Sequence, residues 1–253
     1  MRTTTLFRRA ESGYAQRECI ARVQDSVRFV ANDSCVARRR YPDCVSRWGP
    51  PRIRSLDEFL TLPRRSRLSE ELERALAAAA GMHMLKSNLH PVPVRITSTT
   101  SEAGAYRYRK ADPIDVRVSS RSGHVATGFL HELGHLVDHQ VHYDRQSRVW
   151  ASAVHAAFAG WRAAAARLDL RPFPGGSHRK RYFQSAQEVW ARSYAQTVLL
   201  RSDDQYLRMQ LDALQSVDEP HVWPADEFEP VAVEVELVFE RLGLTQLELP
   251  IAA

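Results

Sequence analysis

The sequence predicts an α+β fold in which a small sheet is assembled first and a helical half follows. Three observations carry this expectation. Three segments between residues 92 and 119 alternate side-chain character with a period of two, the repeat of a half-buried strand. From residue 123 to residue 242 the chain is dominated by helix signals, interrupted by one Pro/Gly-rich loop. On the first helix after the last strand stands His131-Glu-Leu-Gly-His135, five residues with the spacing of a metal site.

Taken in order, residues 1–62 read as an N-terminal basic region of unknown role and residues 63–253 as the main domain. A helix is expected over about 14–30, followed by polar residues 31–34 and by the Pro50–Pro51 step, which neither a helix nor a central strand continues through. Ser55-Leu-Asp-Glu58 has the capping pattern of a short helical turn, closed by Pro63. Residues 69–81 predict a helix: Ser69 as cap, Glu70 and Glu71 in the first turn, an alanine run, then Gly81. Strands are expected over 92–99, 105–109 and 114–119. Ser122 is the expected cap of a helix from Gly123 to about Gln140. A second, alanine-rich helix is expected over 151–168. Arg171-Pro-Phe-Pro-Gly-Gly opens a loop that runs to Gln184 and ends in cations and Tyr182, a segment expected to overhang the metal cleft. Helices follow over 185–200, 203–215 and 226–242.

Composition narrows the function. No stretch approaches the roughly 18–20 apolar residues of a membrane span, and no apolar run follows the charges at the start, so a cytoplasmic chain without a signal peptide is expected. The three cysteines, Cys19, Cys35 and Cys44, are an odd number without a Cys-x-x-Cys pair, which argues against a disulfide framework or zinc knuckle. Residues 1–125 hold 23 basic and 13 acidic side chains, net +10, while the remainder is net −5. The basic half leaves nucleic acid open as a partner, although a solvated arginine-rich surface is the favoured explanation.

The chemistry lies in His131-Glu-Leu-Gly-His135. Residues four apart share one face of a helix, so two neutral imidazoles can reach a single Zn²⁺ while Glu132, displaced around the helix, misses the metal and meets its water. Zinc lowers the pKa of that water, and Glu132 serves as general base. Phe129, Leu130, Leu133, Leu136 and Val137 give the helix a buried side, and Gly134 leaves room for a neighbouring backbone. The strand at 114–119 precedes the helix, where an edge strand can align an extended peptide. A third protein ligand is required. His142 lies too far along an unbroken helix, and His139 and His142 are expected in solvent. Asp138 is either an acceptor for a ligand histidine or a surface carboxylate. His155 and Glu188 remain as candidates. Trp190 is expected in the core beneath the metal helix, and Arg192 either near the site or in solvent.

Glu188-Val-Trp-Ala-Arg-Ser-Tyr-Ala195, coming after His-Glu-Leu-Gly-His-Leu-Val-Asp138, resembles the zincin-like peptidases of the gluzincin type related to anthrax lethal factor, domains of which also accompany phage proteins and bacterial toxins. The resemblance spans about residues 82–245. It implies a zincin-like fold with Glu188 as third ligand, and a tyrosine shortly before that ligand that stabilises the oxyanion. Tyr182 takes that role by position, with Tyr194 as a less favoured substitute. The metzincin pattern is excluded, because Asp138 and Val141 stand where that group needs glycine and histidine.

The expected function is therefore zinc-dependent hydrolysis of a peptide or protein substrate, a metalloendopeptidase with Zn²⁺ on His131, His135 and Glu188. The alternative is a catalytically silent zincin-fold interaction or structural protein of a phage or mobile element, with the basic N-terminal region binding its partner. No membrane partner is expected, and oligomeric state is not legible.

Overall fold

A computed structural model describes residues 52–64, 68–87, 91–99, 103–109, 112–144, 148–169, 181–217 and 222–245. The helix expected over 14–30, the three cysteines, the Pro50–Pro51 step and residues 171–180 of the loop lie outside them. The chain divides into two compact units, one of residues 1–44 with 144–149, the other of residues 45–143 with 150–253. The second contains every element described below. The boundary expected at residue 62 falls inside it.

The fold is mixed α+β. Strands β1 (Arg52–Arg54) and β3 (Leu85–Ser87) form an antiparallel pair. The main sheet has β2 (Leu60–Thr61), β4 (Val92–Thr97), β6 (Asp112–Ser119) and β5 (Gly104–Arg109) side by side in that order. β4 runs parallel to both β2 and β6, and β5 runs antiparallel to β6. Alternation explains the strands: Val92, Val94, Val116 and Val118 enter the core while Arg95 and Arg117 turn away. The edge strand on the β6 side is β5. The segment at 114–119, expected near an edge, is held in the interior between β4 and β5 because both its neighbours pair with it.

Helix α1 (Ser69–Met82) begins at Ser69, one residue earlier than a capping serine would allow. Leu68 is the cap, and Ser69 Oγ instead donates to the Pro63 carbonyl at 2.8 Å. Helix α2 (Val125–Val141) likewise has no side-chain cap of its own: His124 stands at the cap, and Ser122 Oγ accepts from the His124 N–H at 3.2 Å. The free N–H of Ala126 is satisfied from another helix, by Glu71 Oε1 at 2.9 Å, which also accepts from Gln210 at 2.7 Å. The single helix expected over 151–168 is broken. α3 (Ala151–Val154), a 3₁₀ turn (Ala156–Phe158) and α4 (Ala159–Ala165) replace it. His155 adopts an extended backbone, and its Nδ1 accepts from the Ala157 N–H at 3.2 Å, a cap in mid-segment that alanine content hides.

Helix α5 (Ala186–Arg201) runs through the core, buried from Glu188 to Leu199. Its polar side chains are tolerated there because each is paired. Ser193 and Thr197 donate back to carbonyls one turn earlier at 2.7 and 2.8 Å, and Gln196 clamps both backbone groups of Trp223. Helices α6 (Gln205–Ser216), capped by Asp204, and α7 (Ala225–Arg241) complete the unit. None of the described helices is long and apolar enough to cross a membrane.

Candidate metal centre

α2 and α5 meet at Gly134. A Cβ there would lie 3.0 Å from Ala191 Cα and 3.2 Å from the Tyr194 ring, so the two helices approach as closely as backbone permits. Trp190, fully buried as expected, donates its indole N–H to the Gly134 carbonyl at 3.1 Å and keys the crossing. This contact brings Glu188, 53 residues downstream of His135, against the Nε2 atoms of both histidines. Glu188 Oε2 lies 3.4 Å from His131 Nε2, and Oε1 lies 3.2 Å from His135 Nε2. The three donor atoms all fall within 4.8 Å of one another.

Two imidazoles and one carboxylate, converging this closely, fit a metal ion. Ligands at ~2.0–2.2 Å from a tetrahedral centre stand roughly 3.4 Å apart, the separation seen between each imidazole and Glu188. The three groups also interact electrostatically with one another. Burial disfavours the Glu188 carboxylate, but His135 and His131 outweigh it and hold its pKa well below the usual carboxylate range. Burial likewise opposes a charged His135, yet the Glu188 carboxylate overrides it and raises that imidazole to about 9.

Glu132, beside the triad on the same helix, reaches β5. It is buried, and its Oε2 accepts from the Tyr106 N–H of β5 at 2.6 Å. Burial raises its pKa. The contact exists because residue 104 is glycine: a Cβ there would sit 2.7 Å from Glu132 Cγ and 3.0 Å from the Arg117 carbonyl.

The other candidates separate cleanly. His139 is buried, not solvated: it turns into the core at the end of α2, where the Tyr106 hydroxyl meets its Nδ1 at 2.7 Å and the Tyr106, Tyr108 and Trp150 rings surround it. His142 is exposed as expected. Asp138 is neither a surface group nor an acceptor for a ligand. Fully buried, it takes the Ser152 N–H and hydroxyl, each at 2.6 Å, while His135 Nδ1 has no hydrogen-bond partner among the described residues. Burial raises the Asp138 carboxyl to about 7. His155 belongs to the helix break and not to the triad.

Tyr194 is a core residue whose hydroxyl pairs with His83 Nε2 at 2.8 Å. Tyr182 stands half-buried on the helical turn at residues 181–183, its ring edge-on to Phe183. Arg192 resolves toward the site's support: buried, it donates to the Glu188 carbonyl at 3.2 Å and the Phe183 carbonyl at 2.6 Å, with its guanidinium 5.0 Å from the Trp223 ring. Gly104, Tyr106 and Ser152 carry no motif in sequence; only long-range packing brings them to Glu132 and Asp138.

Compared with protein-family models, with curated proteins and with solved structures, the chain finds no match.

Proposed function

We propose that the chain is a zinc-dependent peptidase with a zincin-like fold, in which His131, His135 and Glu188 hold the metal and Glu132 is the general base. The observation that carries this reading is the delivery of Glu188 to both imidazoles at donor separations that suit one small ion. Three protein ligands leave a zinc ion one position for water or substrate, the pattern of a catalytic site. Bound there, zinc supplies Lewis acidity, acidifying water and polarising a carbonyl. Glu132 accepts the proton that the attacking water gives up and returns it to the leaving amine. The Tyr106 N–H holds Oε2, leaving Oε1 for the proton, and a pKa raised by burial suits a carboxylate that must carry a proton between two steps.

A peptide is favoured as substrate because β5, which carries that N–H, is an edge strand beside Glu132, where an extended chain can add to the sheet. Tyr182, just ahead of the Glu188 helix, is assigned to oxyanion stabilisation.

Protein reconstituted with zinc is expected to hold about one ion per chain, and Glu188→Ala is expected to lose it. Glu132→Gln should keep the ion but abolish cleavage, read by mass spectrometry of the chain and of a peptide library incubated with each form. Tyr182→Phe should lower kcat more than it changes KM. A folded chain that takes up no zinc, or full turnover by Glu132→Gln, would refute the assignment.

A further inference from the structure

The face of the sheet opposite Val116 and Val118 carries a second cluster, made of one acid and three arginines. Asp115 on β6 is 1% exposed. Around its carboxylate stand Arg107 Nε from β5 at 2.8 Å, Arg95 Nε from β4 at 3.2 Å and Arg117 Nε from β6 at 3.3 Å. Strand register places them: Arg95 pairs across with Arg117, and Arg107 with Asp115. The arginine side chains remain 61%, 43% and 36% exposed for Arg95, Arg107 and Arg117. The closest of these contacts are all made through Nε.

Three cations on neighbouring strands, only ~4.8 Å apart, repel one another, and a single carboxylate offsets one charge of the three. The cluster is left with two net positive charges on three partly exposed arginine side chains, held by a sheet instead of by flexible loops. Guanidinium Nη pairs match phosphate oxygens in geometry and charge. A dianionic phosphate group neutralises the cluster, whereas one carboxylate leaves half its charge. The tyrosines of β5 pack toward His139 and Trp150, so among the described residues neither offers a base a stacking surface beside the arginines.

We propose that Arg95, Arg107 and Arg117, organised by Asp115, form a binding site for a dianionic phosphate group, separate from the metal centre and independent of whether the chain is a peptidase. The test is calorimetric titration of the full, metal-free chain with pyrophosphate at low salt. Saturable one-site binding that weakens as salt rises is expected, as is at least a tenfold loss of affinity in the Arg95→Gln, Arg107→Gln double variant. Arg38→Gln, Arg39→Gln and Arg40→Gln together should leave affinity unchanged, which separates the sheet site from general attraction to the basic N-terminal region.

No saturable binding, equal affinity in the double variant, or a loss caused only by the N-terminal changes overturns the proposal. So does tighter binding of a short polyglutamate peptide or a single-stranded oligonucleotide than of pyrophosphate, each lost in the double variant, which reassigns the face to that partner. Should the double variant melt earlier than the parent, the exposed Arg95→Gln alone is read, with at least a threefold loss expected and an unchanged affinity counting against the site.

Discussion

Glu132 has little room to move. Its Oε2 is held at 2.6 Å by the Tyr106 N–H, and residue 104, two positions earlier on the same strand, approaches its Cγ so closely that only a hydrogen fits. In Gly104→Ala the new methyl would meet Glu132 Cγ at 2.7 Å and the Arg117 carbonyl at 3.0 Å. The second obstacle is backbone of the adjoining strand, so Glu132 must shift. Misplacing a catalytic group by ~1 Å can lower turnover about 100-fold. Gly104→Ala is therefore expected to reduce kcat at least tenfold with zinc content unchanged, since neither His131, His135 nor Glu188 touches residue 104. Parental kcat in this variant would show that Glu132 tolerates displacement or is not the base. A glycine isolated before an alternating strand gave no hint of this role in sequence. It acquires meaning only when a helix 28 residues later is laid across it.

At the scale of elements, the site is a crossing of two helices. Periodicity marked α2 as amphipathic and Gly134 as a place where another backbone approaches, and the crossing with α5 bears out that reading. α5 is different. It is buried around its whole circumference from Glu188 to Leu199, so it has no apolar stripe to read, and Ser193, Thr197 and Gln196 look like surface residues until their partners are known. Gly134→Ala should force α5 away from α2, because the methyl meets Ala191 Cα at 3.0 Å and its carbonyl at 3.3 Å. Overpacking of this kind costs about 1–3 kcal/mol, a fall of roughly 2–4 °C in Tm per kcal/mol for a chain of this size. Zinc affinity should fall with it, since Glu188 rides on the displaced helix. Gly128→Ala on the same helix is the control: its methyl would make only ordinary contact, at 3.6 Å or more, and Tm should not fall. Equal melting of the two variants, by calorimetry, would contradict a close-packed crossing.

For the whole molecule, the three proposed ligands come from two segments far apart in the chain that the unfolded state does not hold together. An ion that binds only the folded form stabilises it by about 4 kcal/mol when its free concentration is 1,000 times Kd. Zinc should accordingly raise Tm by several degrees over the chelated chain, and Glu188→Ala should remove most of that response, each variant being read against its own chelated Tm. A zinc response undiminished by Glu188→Ala would mean that the ion binds elsewhere.

The sequence by itself determined what is local: the three longer strands, most of the helices that flank them, the pair of imidazoles one turn apart, and the carboxylate next to the first of them. Those follow from repeats of 3.6 and 2 residues and from side-chain chemistry within a few positions. Tertiary structure decided the rest. It drew Glu188, not His155, to the histidines, because the Gly134 crossing carries α5 there while His155 caps a helix break. It buried His139, expected in solvent, against Tyr106, and it gave Asp138, open between a ligand histidine and solvent, to Ser152 instead. It also capped α2 from Glu71 on α1 in place of Ser122. In each case the partner lies well outside a helical turn, and a buried polar group takes whatever partner the packed fold brings within hydrogen-bond reach.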